Sequence, residues 1–160
     1  MMTTRGVLGR GSVWIGVGAV VLLAACSMAP HPSKTVLTGE KEVPPVQTSG
    51  SGLSDISVRN GVCPGGSSSN ACNMLVGTVQ TTGVNGTAAH VHQGAPGENG
   101  PVIVTLIKST SDVWLVPSGT ALSETQYQAY LAGNLYVNVH TEANKGGEVR
   151  AQLRPVTPKF

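Results

Sequence analysis

The sequence predicts an all-β domain, a Greek-key β-sandwich or barrel with one short helix near residues 123–132. Two observations support this fold class. Short segments rich in valine, isoleucine and threonine recur at regular spacing, and glycine-rich turns separate them. The chain is only 4% aromatic and has a single phenylalanine, so valine and leucine must form most of a small core.

The expected strands follow one another along most of the chain. Their residues are 36–43, 52–59, 74–81, 87–92, 101–108, 113–116, 134–141 and 148–154. The glycine-rich segment 93–100 is expected to be a loop. Strands 52–59 and 74–81 flank a loop between Cys63 and Cys72, which predicts a long hairpin tied near its tip.

The helix has clear boundary signals. Ser123 can cap its first turn, and Gln126 three residues later completes a capping box. Leu131 is expected to continue an apolar side of the helix, and Gly133 is placed to end it.

The N-terminal residues resemble an export signal. Arg5 and Arg10 precede an apolar run at residues 13–25, and its 13 residues are fewer than the roughly 20 that a membrane-spanning helix needs. The sequence LAAC at residues 23–26 resembles the bacterial lipobox, in which a peptidase cleaves before a lipidated cysteine. We therefore expect a signal peptide at residues 1–25. An ordinary secretory signal with an incidental cysteine is the alternative.

Lipidation of Cys26 would anchor the protein to a membrane without spanning it. Two or more acyl chains, such as palmitate, hold a protein firmly on a bilayer. In Gram-negative lipoproteins an aspartate after the cysteine favours the inner membrane, so Ser27 predicts outer-membrane location in the cell envelope. Residues 26–34 are expected to be a tether, which contains His31.

Removal of the signal peptide leaves 135 residues, enough for one domain with a core. We assign residues 35–155 to the β domain and residues 156–160 to a C-terminal tail. Arg5 and Arg10 are removed with the signal peptide, so the mature chain has eight basic and eight acidic residues. This balance, without a basic stripe, argues against nucleic acid as a partner.

Two cysteines remain in the mature chain. Cys63 and Cys72 would lie in a compartment that permits disulfides, and closing their loop would stabilise the fold by about 2–3 kcal/mol. A metal-binding pair is the alternative, but no further cysteine is left to complete a thiolate site.

Three histidines are expected on the strand faces opposite the apolar residues, because side chains alternate along a strand. His90 and His92 share one face, roughly 7 Å apart along the strand. The same alternation places His140 on the polar face of its strand. If these strands are neighbours, three imidazoles can hold copper, or less favourably zinc, with one position open. Three surface histidines without a metal are the alternative.

Three polar residues are candidates for contacting and positioning these histidines. Alternation puts Asn138 and Arg150 on the same polar face, and Glu42 follows the first strand. For Glu42 the simpler expectation is a solvated glutamate on an edge strand. For Arg150 the simpler expectation is an ion pair with Glu148 or Glu142.

The sequence contains no set of catalytic residues. No serine lies in a Gly-x-Ser-x-Gly elbow, and segment 93–100 lacks the spacing and the lysine of a phosphate loop. An enzyme is therefore the less expected class.

Five blocks of sequence resemble the CHRD (chordin-type) domain. They read LTGEKEVPPV (37–46), TAAHVHQG (87–94), GENGPV (97–102), GNLYVNVHT (133–141) and NKGGEVRAQL (144–153). The resemblance spans about residues 36–153, with the loop at 63–72 as an insertion. It implies little about function, because bacterial members are largely uncharacterised and growth-factor binding by chordin is credited to other modules.

A second resemblance is to the Greek-key barrel of copper–zinc superoxide dismutase. That barrel also places a His-x-His on an outer face before a glycine-containing loop, as His90, His92 and Gly94 do here. Those enzymes use four copper histidines and this domain has three, so a complete two-metal site is not expected.

Three functions are compatible with these features. The first is a lipid-anchored module that binds copper or zinc through His90, His92 and His140 for metal storage, delivery or protection. The second is a structural or interaction module that binds an envelope protein or a glycan without a metal. The third is a redox enzyme with one copper ion.

Overall fold

A computed structural model of the chain describes Met1 and residues 33–66 and 71–156. Residues 2–25 of the expected signal peptide, Cys26, nearly all of the tether and residues 157–160 of the tail lie outside this part. The strands are β1 (Thr35–Thr38), β2 (Ser51–Ser54), β3 (Ser57–Val62), β4 (Ala71–Val76), β5 (Thr78–Thr82), β6 (Ala88–Gln93), β7 (Val102–Thr105), β8 (Ile107–Lys108), β9 (Val113–Leu115), β10 (Ala121–Leu122), β11 (Leu135–His140) and β12 (Val149–Gln152). The helix, α1, is Glu124–Leu131, and within the described residues no helix is both long and apolar enough to span a bilayer.

Nine strands form one antiparallel sheet that nearly closes into a barrel. Their order is β7-β6-β11-β12-β1-β2-β5-β9-β8. The strands at the two ends of this order, β7 and β8, are separated in the chain only by Leu106, whose amide donates to the Ala89 carbonyl at 2.9 Å. Because β7 pairs with β6 and β8 pairs with β9, one kinked strand joins both ends of the sheet. The predicted all-β Greek-key barrel with one short helix is confirmed.

The hydrophobic core fills the inside of this barrel. Alternate residues of β6, β11 and β12 point inward and are fully or almost fully buried, namely Ala89, Val91, Leu135, Val137, Val139, Val149 and Ala151. Each buried aliphatic side chain of valine or leucine size contributes about 1.5–3 kcal/mol by leaving water. This regular inward stripe fixes the register of the three strands, so the residues between them must face the other side of the sheet.

The predicted long hairpin is present, and it changes sheet half-way along. At Asp55 and Gly77 its two strands leave the barrel and continue as β3 and β4, which form a second sheet with β10. Gly77 has a φ of 130° and a Cβ there would lie 2.7 Å from the Cα of Ile56, so this bend requires glycine. The predicted disulfide joins Cys63 and Cys72 near the hairpin tip.

Two expected strands are shorter than the sequence pattern indicated. The expected strand 36–43 ends at Thr38, because a 3-10 turn follows in which the amides of Glu42 and Val46 both donate to the Gly39 carbonyl. The expected strand 52–59 is divided between β2 and β3. The turn after β1 directs the following residues back over the sheet, and this decides the environment of Glu42.

The helix begins and ends as predicted, but its buried side differs. Ser123 accepts from the Gln126 amide at 3.2 Å and donates its own amide to the Gln126 side chain at 2.9 Å, which is the predicted capping box. Gly133 follows the helix with a φ of 75°. Leu131 is exposed, contrary to the expected apolar side, because Tyr130 packs into the core instead and donates its hydroxyl to the Arg154 carbonyl.

Candidate metal centre

The three histidines of the domain lie on neighbouring strands and converge. In the pairing of β6 with β11, His90 stands opposite Asn138 and His92 stands opposite Tyr136. His140 is two residues beyond Asn138, so it is a diagonal neighbour of His90 on the same face. One ring nitrogen from each histidine lies within 4.8 Å of the other two.

Backbone carbonyls orient two of the rings. Nδ1 of His92 is 2.9 Å from the Gly100 carbonyl, and Nδ1 of His140 is 2.9 Å from the Lys145 carbonyl. A carbonyl only accepts hydrogen bonds, so each Nδ1 carries the proton and each Nε2 keeps its lone pair. Protein histidines that bind metals are held in this way, with the far nitrogen donating to a carbonyl or carboxylate.

The third ring contacts both of its neighbours. Nδ1 of His90 lies 2.9 Å from Nε2 of His140, and the rings of His90 and His92 meet edge-on at 5.8 Å between centroids. Burial lowers the pKa of His90, and the nearby His140 and His92 lower it further. Burial likewise lowers the pKa of His140, against a smaller opposing effect of its bond to the Lys145 carbonyl. Both rings are therefore more readily neutral, which is the form that binds metals.

The face that carries the histidines lies opposite the core and is mostly covered, although His90 and His140 remain partly exposed. His92, Tyr136 and Asn138 are each less than a tenth exposed. Two loops fold over them, one at residues 94–100 and the other at residues 141–148, and these supply the carbonyls that hold the rings. The barrel thus has an apolar layer inside and a buried polar layer outside.

Arg150 holds the first of these loops in place. It is 1% exposed, and its guanidinium donates to the Glu98 carbonyl at 2.8 Å, with longer bonds to the Ala95 carbonyl and to Asn99 Oδ1. The expected ion pair with Glu148 or Glu142 is wrong. Glu148 instead accepts hydrogen bonds from Thr48, Thr141 and Asn144.

Tyr136 links Arg150 to the histidines. The guanidinium lies 3.4 Å from the centroid of the Tyr136 ring, and the His92 ring stacks on the same tyrosine at 4.6 Å with an angle of 5° between the planes. β6 and β12 flank β11 on opposite sides, so the tyrosine lies between the imidazole and the guanidinium. Strand alternation puts Tyr136 on the same face as Asn138 and His140, but periodicity alone does not predict this stack.

Glu42 is buried behind Asn138, and the expectation of a solvated glutamate is wrong. Only 4% of it is exposed. Burial raises its pKa from 4.5 to about 7, and the positive charge of Arg150 and the amide of Asn138 offset only part of that effect. Glu42 and Arg150 also line a groove of about 540 Å³, whose walls include Val43 and Pro96.

The sequence profile of the CHRD domain family matches residues 33–153. This span includes every residue of the candidate metal centre. The chain belongs to the CHRD domain family. No curated protein and no solved structure matches it. The resemblance of this CHRD domain to superoxide dismutase therefore stays a prediction.

The close fit of the loop at residues 94–100 of the CHRD domain can be tested at Gly100. A Cβ on Gly100 would lie 1.7 Å from the Gln93 carbonyl oxygen, so Gly100→Ala must displace the loop and its bond to His92. We expect the free energy of unfolding to fall by about 1–3 kcal/mol and the NMR signals of the His92 ring to shift. Gly146→Ala is the control, because nothing lies within 4 Å of its Cβ position. Equal effects of both substitutions would contradict the tight fit.

Proposed function

We propose that this CHRD domain binds one metal ion, copper in preference to zinc, through His90, His92 and His140. The observation that supports this most directly is the convergence of one nitrogen from each ring within 4.8 Å. Two of the three rings are also oriented by backbone carbonyls, so little ordering remains to be done when an ion binds.

The spacing of the nitrogens fits a metal after a small adjustment. Tetrahedral Zn–N bonds of about 2.0–2.1 Å put two ligand nitrogens about 3.3 Å apart. The widest pair, at no more than 4.8 Å, must then close by about 1.5 Å, which rotation of a partly exposed imidazole can provide.

A contact beside His92 also favours a cation. With its Nδ1 proton donated to Gly100, the lone pair of His92 Nε2 faces Asn138 Oδ1 at a distance of 3.0 Å. Two acceptors at this distance repel each other unless a proton or a metal ion lies between or beside them. Asn138 keeps this orientation because its Nδ2 donates to the Gly146 carbonyl.

The preference for copper follows from the chemistry of the ligands. Neutral imidazoles suit both copper and zinc, and Cu²⁺ binds more tightly than Zn²⁺ to a given set of nitrogen ligands. Anchored through Cys26 in the envelope, the domain would store metal, deliver it or protect against it, and binding alone is enough for each of these roles.

Metal affinity of histidine variants tests this function. We expect the purified protein to bind close to one equivalent of copper, and His140→Ala or the double change of His90 and His92 to alanine to lose tight binding. His31→Ala is the matched control, since it removes the histidine that is expected in the tether. Affinity that is unchanged in the His140 variant, or equal to that of a protein without histidines, would contradict the proposal.

The groove beside Glu42 supports a second candidate, a module that binds an envelope protein or a glycan without a metal. Pockets of several hundred Å³ with apolar walls and a few polar groups commonly hold ligands, and this groove is about 540 Å³. A partner that is retained in the presence of chelator and by the His140→Ala variant would favour this function over metal binding.

A further inference from the structure

Glu42 is the one buried carboxylate among the described residues of the chain. Its Oε1 atom is shielded from solvent and has no hydrogen-bond partner within that part of the protein. A buried acceptor without a partner destabilises the fold, and the cost is larger if the acceptor is charged. The positive charge of Arg150 offsets only part of the cost of burying this carboxylate, so its burial calls for a further explanation.

A single side chain, that of Asn138, separates the Glu42 carboxylate from His92. Glu42 and Asn138 together fill the space that Gly147 leaves by lacking a side chain: a Cβ on Gly147 would lie 2.3 Å from Glu42 Oε1 and 2.7 Å from Asn138 Nδ2. The Asn138 amide interacts with the carboxylate on one side and contacts His92 Nε2 at 3.0 Å on the other.

The rest of this polar layer carries positive charge. The Arg150 guanidinium lies against Tyr136, which stacks on His92, and the hydrogen bonds of Arg150 go to two carbonyls and an amide, all of them neutral acceptors. A cation held by three neutral imidazoles would add to this charge. Coulomb energies scale with the product of the charges, so the added cost is twice as large for a divalent ion as for a monovalent one.

We propose that Glu42 is a specificity-determining residue of the histidine site, where its charge offsets that of the bound ion and favours a divalent over a monovalent cation. The inference rests on the proposed function. Glu42 acts through space and through Asn138, and it is not itself a ligand.

The test compares Zn²⁺ and Ag⁺, because both ions have a filled d shell and differ chiefly in charge and size. Their affinities are measured at pH 8 by competition with a chelator, for the wild type, Glu42→Gln and Glu42→Asp. We expect Glu42→Gln to lower the affinity for Zn²⁺ by about 10–100-fold and the affinity for Ag⁺ by only the square root of that factor, about 3–10-fold. Glu42→Asp keeps the charge and is expected to keep the preference for Zn²⁺.

The control is Glu40→Gln, an identical change of charge two residues away on an exposed side chain, and it is expected to leave both affinities unchanged. If wild-type protein binds both ions and Glu42→Gln loses both equally, or loses neither, the role of Glu42 is wrong while the metal site stands. If wild-type protein binds neither of these ions and no copper either, the proposed function itself fails, and this inference fails with it.

Discussion

Replacement of Arg150 by methionine is expected to lower the free energy of unfolding by about 3–5 kcal/mol, the range seen when one partner of a buried charged network is removed. The side chain is 1% exposed and holds two loop carbonyls and the Asn99 amide oxygen. Methionine can fill part of the volume, but it donates no hydrogen bond, so these acceptors are left unsatisfied beneath the loop. The stacking of the guanidinium on Tyr136 is lost as well.

Chemical denaturation of the two proteins at pH 7 measures this effect. Arg154→Met provides the control, because Arg154 is an exposed arginine on the same C-terminal segment and its removal is expected to change stability by no more than about 0.5 kcal/mol. Since Arg150 fixes the loop that orients His92, its removal should also speed hydrogen exchange of the amides at residues 94–100. A loss of stability similar to that of Arg154→Met would show that the loop holds its position without the guanidinium.

Glu42→Gln is expected to change how stability depends on pH. The carboxylate has its usual pKa of 4.5 when the chain is unfolded and about 7 in the fold. Between these values the folded protein holds a proton that the unfolded chain has lost, so the contribution of Glu42 to stability is complete below about pH 4.5 and is lost as the pH rises through 7. The full difference is on the order of 3 kcal/mol, and glutamine, which does not titrate, avoids this loss.

The measured quantity is the free energy of unfolding of the variant minus that of the wild type, from pH 4.5 to pH 8.5, with chelator present to exclude metals. We expect this difference to increase with pH in favour of Glu42→Gln. The lowered pKa values of His90 and His140 act in the opposite direction, because their contribution is lost as the pH falls below 6.5, but they are common to both proteins and cancel. The exposed Glu40→Gln should give a flat difference. Parallel curves for Glu42→Gln and the wild type would mean that the carboxylate titrates normally in the fold.

Alternation and local turn chemistry were enough to predict the fold class and part of the candidate site. The period of two along β6 and β11 separated the inward residues such as Val91 and Val137 from the histidines on the other face, because a strand has only two sides. The capping box at Ser123 and Gln126 fixed the start of the helix through bonds between residues three apart. Such features depend on near neighbours in the chain, so they can be predicted without knowing which strands pair.

Only the tertiary structure decided what covers that polar face and which residues meet there. The pairing of β6 with β11, which brings His140 to His90 and His92, joins residues about fifty positions apart, and no local pattern encodes it. The same holds for Glu42. The sequence favours a solvated position on a strand, but the turn after β1 places Glu42 under the loop that contains Gly147. Burial, and with it the raised pKa of Glu42, is set by atoms from distant segments, and for this reason the sequence alone named Glu42 and Arg150 as candidates beside the histidines but did not predict that they are buried.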